Sequence, residues 1–199
     1  KICKENKTKM IFVSTDSVFD GEKGNYTETD KPNPLNIYAE SKLKGEKYVH
    51  QTLKEHVIVR TNFYGLDKNN LYFFNWILKN IKNKKKITGF DDIIFSPLDT
   101  TTVSKMLVEL LEKKYSGLIH LSSGVPISKY DFICQVVKKL DYSINNITQG
   151  KLSDITLEAK RPKDTSLNNS KAYKILETQP LDLSKWFEQN RDKIIKFFD

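Results

Sequence analysis

A tyrosine and a lysine four positions apart are the residues whose types and spacing most directly suggest chemistry. Tyr38 and Lys42 fall in a segment with helical patterning, where side chains four residues apart share one face. A lysine ammonium beside a phenol stabilises the phenolate, which helps a tyrosine exchange protons near neutral pH. The bare pair is weak evidence, because a lysine-rich helix produces this spacing by chance. A tyrosine packed on a lysine stem is then the simpler interpretation.

A second group of polar residues follows a short apolar run at residues 10–14. Such a run is typical of a parallel strand covered on both faces, and Ser14, Thr15 and Asp16 stand at its carboxyl end. Open α/β sheets bind ligands just outside the carboxyl ends of their strands. A hydroxyl in this position could donate a hydrogen bond to a reacting carbonyl and hold it against the tyrosine.

The predicted elements that would position these residues alternate between strands and helices along the chain. Asn36 is a suitable N-cap for the helix that carries the tyrosine and the lysine. Segments with strand or helix patterning occupy, in order, residues 10–14, 36–55, 56–60, 71–81, 101–114, 117–121 and 128–140. This alternation predicts an α/β fold with a largely parallel sheet. The aromatic cluster at residues 72–76 is interpreted as core or interface rather than as a ligand site.

Composition argues against several classes of partner. The net charge is +8, but Arg60, Arg161 and Arg191 are the only arginines, and arginine is the side chain that base-edge and phosphate recognition favours. The lysines are dispersed, which indicates a solvated surface and no nucleic-acid partner. No apolar run approaches the roughly 18 residues that a membrane span needs, so no membrane partner is expected.

The cysteines and histidines argue against two further kinds of site. Cys3 and Cys134 are isolated, which is neither a disulfide framework nor a zinc signature. A reducing, cytoplasmic compartment is therefore expected. The three histidines are scattered, so no histidine-built metal site is predicted.

The sequence around the tyrosine closely resembles a known family. The likeness is carried by Ser-Thr-Asp-Ser-Val-Phe-Asp-Gly at 14–21, Tyr-Thr-Glu at 26–28, and Pro-Asn-Pro-Leu-Asn-Ile-Tyr-Ala-Glu-Ser-Lys-Leu-Lys-Gly-Glu at 32–46. These strings resemble the extended short-chain dehydrogenase/reductase superfamily and, within it, most closely the dTDP-4-dehydrorhamnose reductase family. Looser similarity in three further segments extends the resemblance over almost the whole chain: residues 60–65, 95–97 and 160–167.

The resemblance implies a fold and its division into parts. The expected fold is the C-terminal portion of a Rossmann-type, doubly wound parallel sheet with a small substrate-binding lobe. Residues 1–61 and 103–121 would form the Rossmann-type catalytic portion, and residues 62–102 and 122–169 mainly the lobe. Residues 170–199 would form a C-terminal helical segment. Substrate would bind in the cleft between the two larger parts.

The resemblance also implies an activity. In that family a nicotinamide cofactor, NADPH or NADH, delivers hydride to a 4-keto sugar carried on a nucleoside diphosphate. By position, Tyr38 would be the general acid, Lys42 would stabilise its phenolate and bind the nicotinamide ribose, and Thr15 would hydrogen-bond the keto oxygen. These three are the predicted catalytic residues. Tyr38 and Lys42, together with Ser14 and Asn62, are the predicted cofactor-binding residues.

The expected partner is a nucleotide-sugar substrate, and a homodimer is a possible assembly. Six residues are expected to contact the substrate: Thr15, Asp16, Ser17, Phe63, Ser96 and Arg161. A cation at Arg161 would suit a diphosphate, although an arginine in a surface loop explains the same residue equally well. Asn62 follows the second strand, where the family lines its cleft, and could contact substrate or simply bond loop backbone.

The sequence departs from the family pattern in two places. The family usually has tyrosine at the position of Ser17, close to the substrate, so the resemblance leaves the identity of the sugar open. No Gly-x-Gly-x-x-Gly or Gly-x-x-Gly-x-x-Gly fingerprint, which would hold the cofactor pyrophosphate, occurs in these residues. That fingerprint is expected ahead of Lys1, in the first βαβ half of a longer chain.

Two other functions fit the same scaffold. Epimerases and dehydratases work on related sugar nucleotides, and dehydratases typically add an acidic residue beside the catalytic hydroxyl. Asp16 occupies that position, but the reductase family also has aspartate there, so it does not favour dehydration. Relatives of this family serve as noncatalytic regulatory subunits of methionine adenosyltransferase and keep the fold, the tyrosine and the lysine.

Overall fold

Strands and helices alternate as the sequence predicts. A computed structural model describes residues 2–67 and 72–198. Its helices are α1 (Ile2–Glu5), α2 (Ile37–Thr52), α3 (Phe73–Lys82), α4 (Thr100–Glu112), α5 (Lys129–Lys139), α6 (Ser170–Ile175) and α7 (Leu183–Phe198). Its strands are β1 (Met10–Val13), β2 (His56–Thr61), β3 (Phe63–Tyr64), β4 (Ile87–Phe90), β5 (Ile94–Phe95), β6 (Leu98–Asp99), β7 (Gly117–Leu121), β8 (Ile127–Ser128) and β9 (Ile147–Gly150). None of the described helices is long and apolar enough to cross a membrane.

Three strands form the main sheet, in the order β1–β2–β7, and both pairs run parallel. Val13 at the end of β1 lies opposite Val59, and Thr61 at the end of β2 lies opposite Leu121. β2 is buried along its whole length, as expected of a central strand with a continuous apolar run. The predicted α/β class with a parallel sheet is confirmed, and the carboxyl ends of the three strands lie at one edge.

Short strands outside the main sheet pair in three further places. β3 pairs with β6 and β4 with β9, both in parallel, and β5 pairs antiparallel with β8. These pairs hold together the segments that follow β2 and β7 along the chain. They bring β5 and the start of α5 next to each other, which matters for the site described below.

The fold has two large apolar cores. The first packs the main sheet against α4 and α6, around Val59, Met106 and Ile119. The second packs α3, α5 and α7 together around Phe132 and Trp186. The C-terminal segment therefore divides its contacts, with α6 in the first core and α7 in the second. The division into catalytic portion, lobe and C-terminal segment stays a prediction.

A side-chain cap sets the start of α2 at its predicted position. Asn36 caps α2 as predicted, its side-chain oxygen accepting the Ala39 N–H at 2.9 Å. α2 ends at Thr52 rather than at residue 55, because Leu53 takes extended backbone angles, φ −116° and ψ 127°, that lead into β2. Leu71, the predicted start of α3, lies outside the described residues, as do the terminal residues Lys1 and Asp199.

Candidate active site

The first turns of α2 present the predicted tyrosine and lysine at the edge where β1 ends. Tyr38 is 60% exposed and lines a cavity. The Lys42 ammonium donates to the Val13 carbonyl at 2.6 Å. Asn36 holds the start of the helix from the other side, its amide donating to the Lys160 carbonyl at 3.0 Å. The tyrosine and the lysine of the predicted pair are thus both held on an element that is bonded to the end of the strand.

Asp16 organises the turn after β1. Its Oδ1 accepts the Thr15 hydroxyl at 3.1 Å and the Ser17 hydroxyl at 3.2 Å. Its Oδ2 accepts Asn62 Nδ2 and the Thr165 hydroxyl, both at 2.8 Å. Only 1% of Asp16 is exposed. This carboxylate therefore joins the end of β1, the end of β2 and the segment that precedes α6.

Two predicted site residues consequently have protein partners. The buried Thr15 hydroxyl donates a hydrogen bond to Asp16 and accepts one from the Ser17 N–H at 3.2 Å. Asn62 donates to a carboxylate, an arrangement that neither of its two sequence-based interpretations included. Asn62, Asp16 and Ser17 also line the cavity, so contact of these three with a ligand stays a prediction.

Ser14 belongs to a buried polar network that no motif indicated. Its hydroxyl donates to Glu46 Oε1 at 2.5 Å. The same carboxylate accepts Arg60 Nε at 3.0 Å and Nη2 at 2.7 Å. All three residues are buried. The side chain of Ser14 is therefore bonded to α2, and its contact with a cofactor stays a prediction.

A cavity of about 580 Å³ lies beside Tyr38. Besides this tyrosine, the predicted residues that line it are Asp16, Ser17, Asn62 and Arg161. Most of the remaining lining is apolar or aromatic: Phe73, Trp76, Phe90, Ile93, Phe95, Ile133, Leu152, Ile155, Leu157, Ala159 and Pro162. The volume and the mixture of apolar walls with a few polar groups are typical of a small-molecule site.

Three predicted substrate residues, Thr15, Phe63 and Ser96, are not among those that line the cavity. Phe63 is 38% exposed, and its ring meets the Tyr72 ring edge-on with centroids 6.1 Å apart. Ser96 is buried, and its Oγ accepts the Leu167 N–H at 2.9 Å. Ser96 therefore bonds the segment preceding α6, while its neighbour Phe95 is the residue that lines the cavity.

Two aromatic residues of the cavity wall come from the cluster that the sequence predicts to be core or interface rather than a ligand site. Phe73 and Trp76 stack with ring centroids 5.9 Å apart and an interplanar angle of 15°, and both line the cavity. Phe73 also packs against the second core. The interpretation as core was incomplete, because a residue on the first turns of α3 can border the core on one side and the cavity on the other.

Lys129 is the charged residue of the cavity that the motifs did not identify. It is the first residue of α5, and its Nζ lies 3.3 Å from the centroid of the Phe95 ring and 4.3 Å from that of Phe73. Burial lowers the pKa of Lys129 to about 7, with the Asp16 charge acting against this shift and the Arg161 charge acting with it. The available signal was a lysine directly after a helix N-cap, where the helix dipole disfavours a cation.

The donor set at Tyr38 and Lys42 suits the hydroxyls of a ribose. A phenol both donates and accepts, and an ammonium has three donors, of which the Val13 carbonyl takes one. No group of histidine, cysteine, aspartate or glutamate side chains suited to a metal ion occurs within residues 2–67 and 72–198. The site can therefore bind a polyhydroxylated ligand next to a proton donor.

Both the sequence and the fold are similar to those of known proteins. A family model described as RmlD substrate binding domain matches residues 1–194. The dTDP-4-dehydrorhamnose reductase of Aggregatibacter actinomycetemcomitans is 30% identical over 191 residues, which cover 89% of this chain and 64% of that protein. Methionine adenosyltransferase 2 subunit beta of Rattus norvegicus is 29% identical over 174 residues, covering 81% of this chain and 51% of that protein.

Among solved structures, a dTDP-4-dehydrorhamnose reductase from Bacillus anthracis in complex with NADP has a TM-score of 0.87 at 24% identity. The likeness covers 96% of this chain and 68% of that one. It confirms the predicted Rossmann-type fold. The chain spans 64% and 51% of the lengths of the two curated relatives, so it corresponds to only part of each of them.

Proposed function

Because the chain belongs to the family of RmlD substrate binding domains, we propose that the protein reduces a keto group on a nucleotide-linked sugar with a nicotinamide cofactor. The finer proposal is NADPH- or NADH-dependent reduction of a dTDP-linked 4-keto-6-deoxy sugar, as in dTDP-rhamnose biosynthesis. One observation carries it: Tyr38 lines a cavity of ligand size while Lys42, one turn away, is fixed to the end of β1. The 30% identical dTDP-4-dehydrorhamnose reductase supports the choice of substrate.

In this reaction Tyr38 is the general acid. The bound cofactor supplies the hydride. The Tyr38 phenol donates its proton to the oxygen that gains negative charge as the carbonyl is reduced. The Lys42 ammonium, held by the Val13 carbonyl at 2.6 Å, offsets the charge left on the phenolate. The helix that carries both residues therefore supplies the proton and compensates for its loss.

Thr15, which is buried and is not among the residues that line the cavity, can supply a second hydrogen bond to the keto oxygen only if its side chain moves. Its hydroxyl donates to Asp16 at 3.1 Å, so it must rotate away from that carboxylate to donate to a substrate. The Ser17 hydroxyl must also rotate before it can donate to a substrate, since it donates to the same Asp16 oxygen at 3.2 Å. Substrate orientation is therefore coupled to the hydrogen bonds that Asp16 makes.

The residues present fit the nicotinamide end of the cofactor. Tyr38 and Lys42 offer the donors and the acceptor that a ribose diol requires. The glycine-rich fingerprint for the pyrophosphate is not in this sequence, so no pyrophosphate contact is assigned to its residues. NADPH is the preferred candidate because the similar Bacillus anthracis structure contains NADP.

The test is reduction of dTDP-4-keto-6-deoxy sugars by NADPH and by NADH, followed by the near-ultraviolet absorbance of the reduced cofactor. Tyr38→Phe should lower kcat by roughly 10²–10⁴-fold, the usual contribution of a general acid. Tyr48→Phe is the matched control, because Tyr48 lies on the same helix and is 69% exposed. The proposal is rejected if the full-length protein binds the cofactor yet turns over none of these sugars.

A second candidate is a noncatalytic regulatory subunit of a methionine adenosyltransferase. The 29% identity to methionine adenosyltransferase 2 subunit beta over 174 residues favours it. Under this hypothesis the protein forms a complex with a methionine adenosyltransferase and alters its kinetics, while keto-sugar turnover is absent. Size-exclusion chromatography of the two purified proteins, together with the turnover assay, separates the two functions.

A further inference from the structure

Lys129 is half-buried and is one of the residues that line the cavity. Its Nζ is 3.3 Å from the centroid of the Phe95 ring and 4.3 Å from that of Phe73, and both rings line the cavity. The backbone of the same residue is fixed, since its N–H donates to the Ile93 carbonyl at 2.9 Å. A cation on two ring faces is attracted by their quadrupoles, but no ring accepts a proton or neutralises the charge.

The charged groups that face Lys129 are Asp16 and Arg161. Asp16 already accepts hydrogen bonds from four side chains, those of Thr15, Ser17, Asn62 and Thr165. No ion pair to the lysine or to Arg161 is found in the part of the chain that the structure describes. The neighbouring faces of α3 and β5 present the uncharged rings named above.

The cavity is therefore lined by two basic side chains and by one carboxylate whose two oxygens already accept four hydrogen bonds. Such a site favours a ligand with more than one negative charge, because each cation can then gain a counterion. A diphosphate carries two adjacent anionic groups, one for the planar guanidinium and one for the compact ammonium. The apolar and aromatic walls suit the base and the deoxygenated face of a sugar.

We propose that Lys129 is a substrate-binding residue that, together with Arg161, holds the diphosphate of the sugar nucleotide. This inference rests on the proposed function, which supplies the substrate class. The lysine acts as an anion-binding group poised to take up a proton when the diphosphate enters. An uncharged side chain of similar length at this position should fill the space between the two rings but leave the diphosphate without its second cation.

The test measures binding of dTDP-glucose and UDP-glucose to the full-length protein by calorimetry, from about pH 6 to about pH 8.5. Their diphosphate keeps its charge over this range, so any pH dependence belongs to the protein. We expect wild-type affinity to fall above neutral pH by up to about tenfold per pH unit, because the pKa of Lys129 is about 7. Lys129→Met should bind about 10–100-fold more weakly with a flat profile, and Lys129→Arg should bind tightly with a flat profile.

Lys138→Met is the matched control, since Lys138 is an exposed lysine of the same helix. NADPH binding should be unchanged by Lys129→Met. The inference is overturned if Lys129→Met binds the sugar nucleotides like the wild type, or if it loses NADPH instead. Absence of sugar-nucleotide binding by the wild type would reject the proposed function as well, so the two failures are distinguishable.

A second measurement does not depend on the folding of a variant. The rate at which Lys129 of the wild type is reductively methylated can be followed by peptide mass spectrometry, with and without saturating dTDP-glucose. We expect faster labelling than at Lys138 near neutral pH, because a larger fraction of the amine is unprotonated, and protection by the sugar nucleotide. Labelling of Lys129 that is unaffected by bound dTDP-glucose would overturn the inference.

Discussion

The Arg60 guanidinium donates through Nε and Nη2 to both oxygens of the Glu46 carboxylate, at 3.0 and 2.7 Å. The two side chains are 4% and 6% exposed, so the pair is withdrawn from water. It connects α2, the helix that carries Tyr38 and Lys42, to β2 in the centre of the main sheet. Ser14 adds a hydrogen bond to the same carboxylate from the end of β1.

Removing one partner of this ion pair should be strongly destabilising. Glu46→Gln leaves a buried guanidinium without a countercharge, and we expect the free energy of unfolding to fall by about 3–5 kcal/mol. The double variant Glu46→Gln/Arg60→Met should recover part of this loss. Urea denaturation of the four proteins of this cycle measures the coupling, with Glu40→Gln on the exposed face of the helix as a control. The prediction would be contradicted if the free energy of unfolding of Glu46→Gln lay within about 0.5 kcal/mol of that of the wild type.

The hydrogen bonds of Asp16 should matter both for stability and for ligand binding. Asp16→Asn keeps the shape but places an amide donor against Asn62 or Thr165, which are themselves donors to this residue. We expect a loss of about 2–3 kcal/mol in the free energy of unfolding and weaker sugar-nucleotide binding. Thermal unfolding and calorimetry check this. Asp192→Asn, on the exposed face of α7, should leave both quantities unchanged.

Gly45 lets α2 lie close to the strand that carries Phe12. A Cβ at this position would come within 2.5 Å of the Phe12 ring. Gly45→Ala should therefore lower the free energy of unfolding by about 1–3 kcal/mol, although alanine is the better helix former. Lys44→Ala on the exposed face should change it by less than about 0.5 kcal/mol. Recovery of stability in Gly45→Ala/Phe12→Val would identify the clash as the cause; unchanged stability in Gly45→Ala would refute it.

His120 should make the protein less stable as the pH falls below about 6.5. Its Nδ1 lies 3.0 Å from the Tyr26 carbonyl, which can only accept, so Nδ1 carries a proton. Burial, reinforced by the charge of Arg60, lowers the pKa of His120 to about 3. Since the unfolded chain binds this proton first, the free energy of unfolding should drop by about 2 kcal/mol between pH 7 and pH 5 from this residue alone.

The check on His120 is the pH dependence of urea denaturation in the wild type and in His120→Asn, which keeps a donor near the Tyr26 carbonyl. The variant should be less stable at pH 7 but should show a shallower decline towards pH 5. Asp30 and Glu109, whose carboxyls have pKa values lowered to about 2, titrate mostly below this window. An equal slope in both proteins would show that His120 is not the titrating group.

The sequence predicted the longer elements because their signals are local, but it did not predict the short strands β3, β4, β5, β6, β8 and β9. The apolar runs of β1, β2 and β7 and the cap at Asn36 depend on neighbouring residues, and the structure has them within a few positions. Helical spacing placed the tyrosine and the lysine on one face of a helix, but their predicted roles came from the resemblance of the surrounding residues to a known family. The end of α2 lies three residues before its predicted position. Leu53 has extended backbone angles because the chain must turn there into the next strand, and helical spacing alone does not reveal such a turn.

The rest of the site was not predictable because its contacts join distant parts of the chain. Lys129 enters the cavity only because β5 pairs with β8, which brings residue 128 opposite Ile94. Ser96 carries the motif resemblance but bonds Leu167, a contact between residues 71 positions apart. The spacing of residues along one helix or strand does not indicate which distant segments of the chain will come into contact.

The bond between Asp16 and Thr165 closes a loop of 149 residues. Closing so long a loop costs conformational entropy that only the completed packing around it can offset. We therefore expect the cavity to form late in folding. Until the segment around residue 165 has left the ribosome, the nascent protein would have Tyr38 and Lys42 but no complete cavity to hold a ligand.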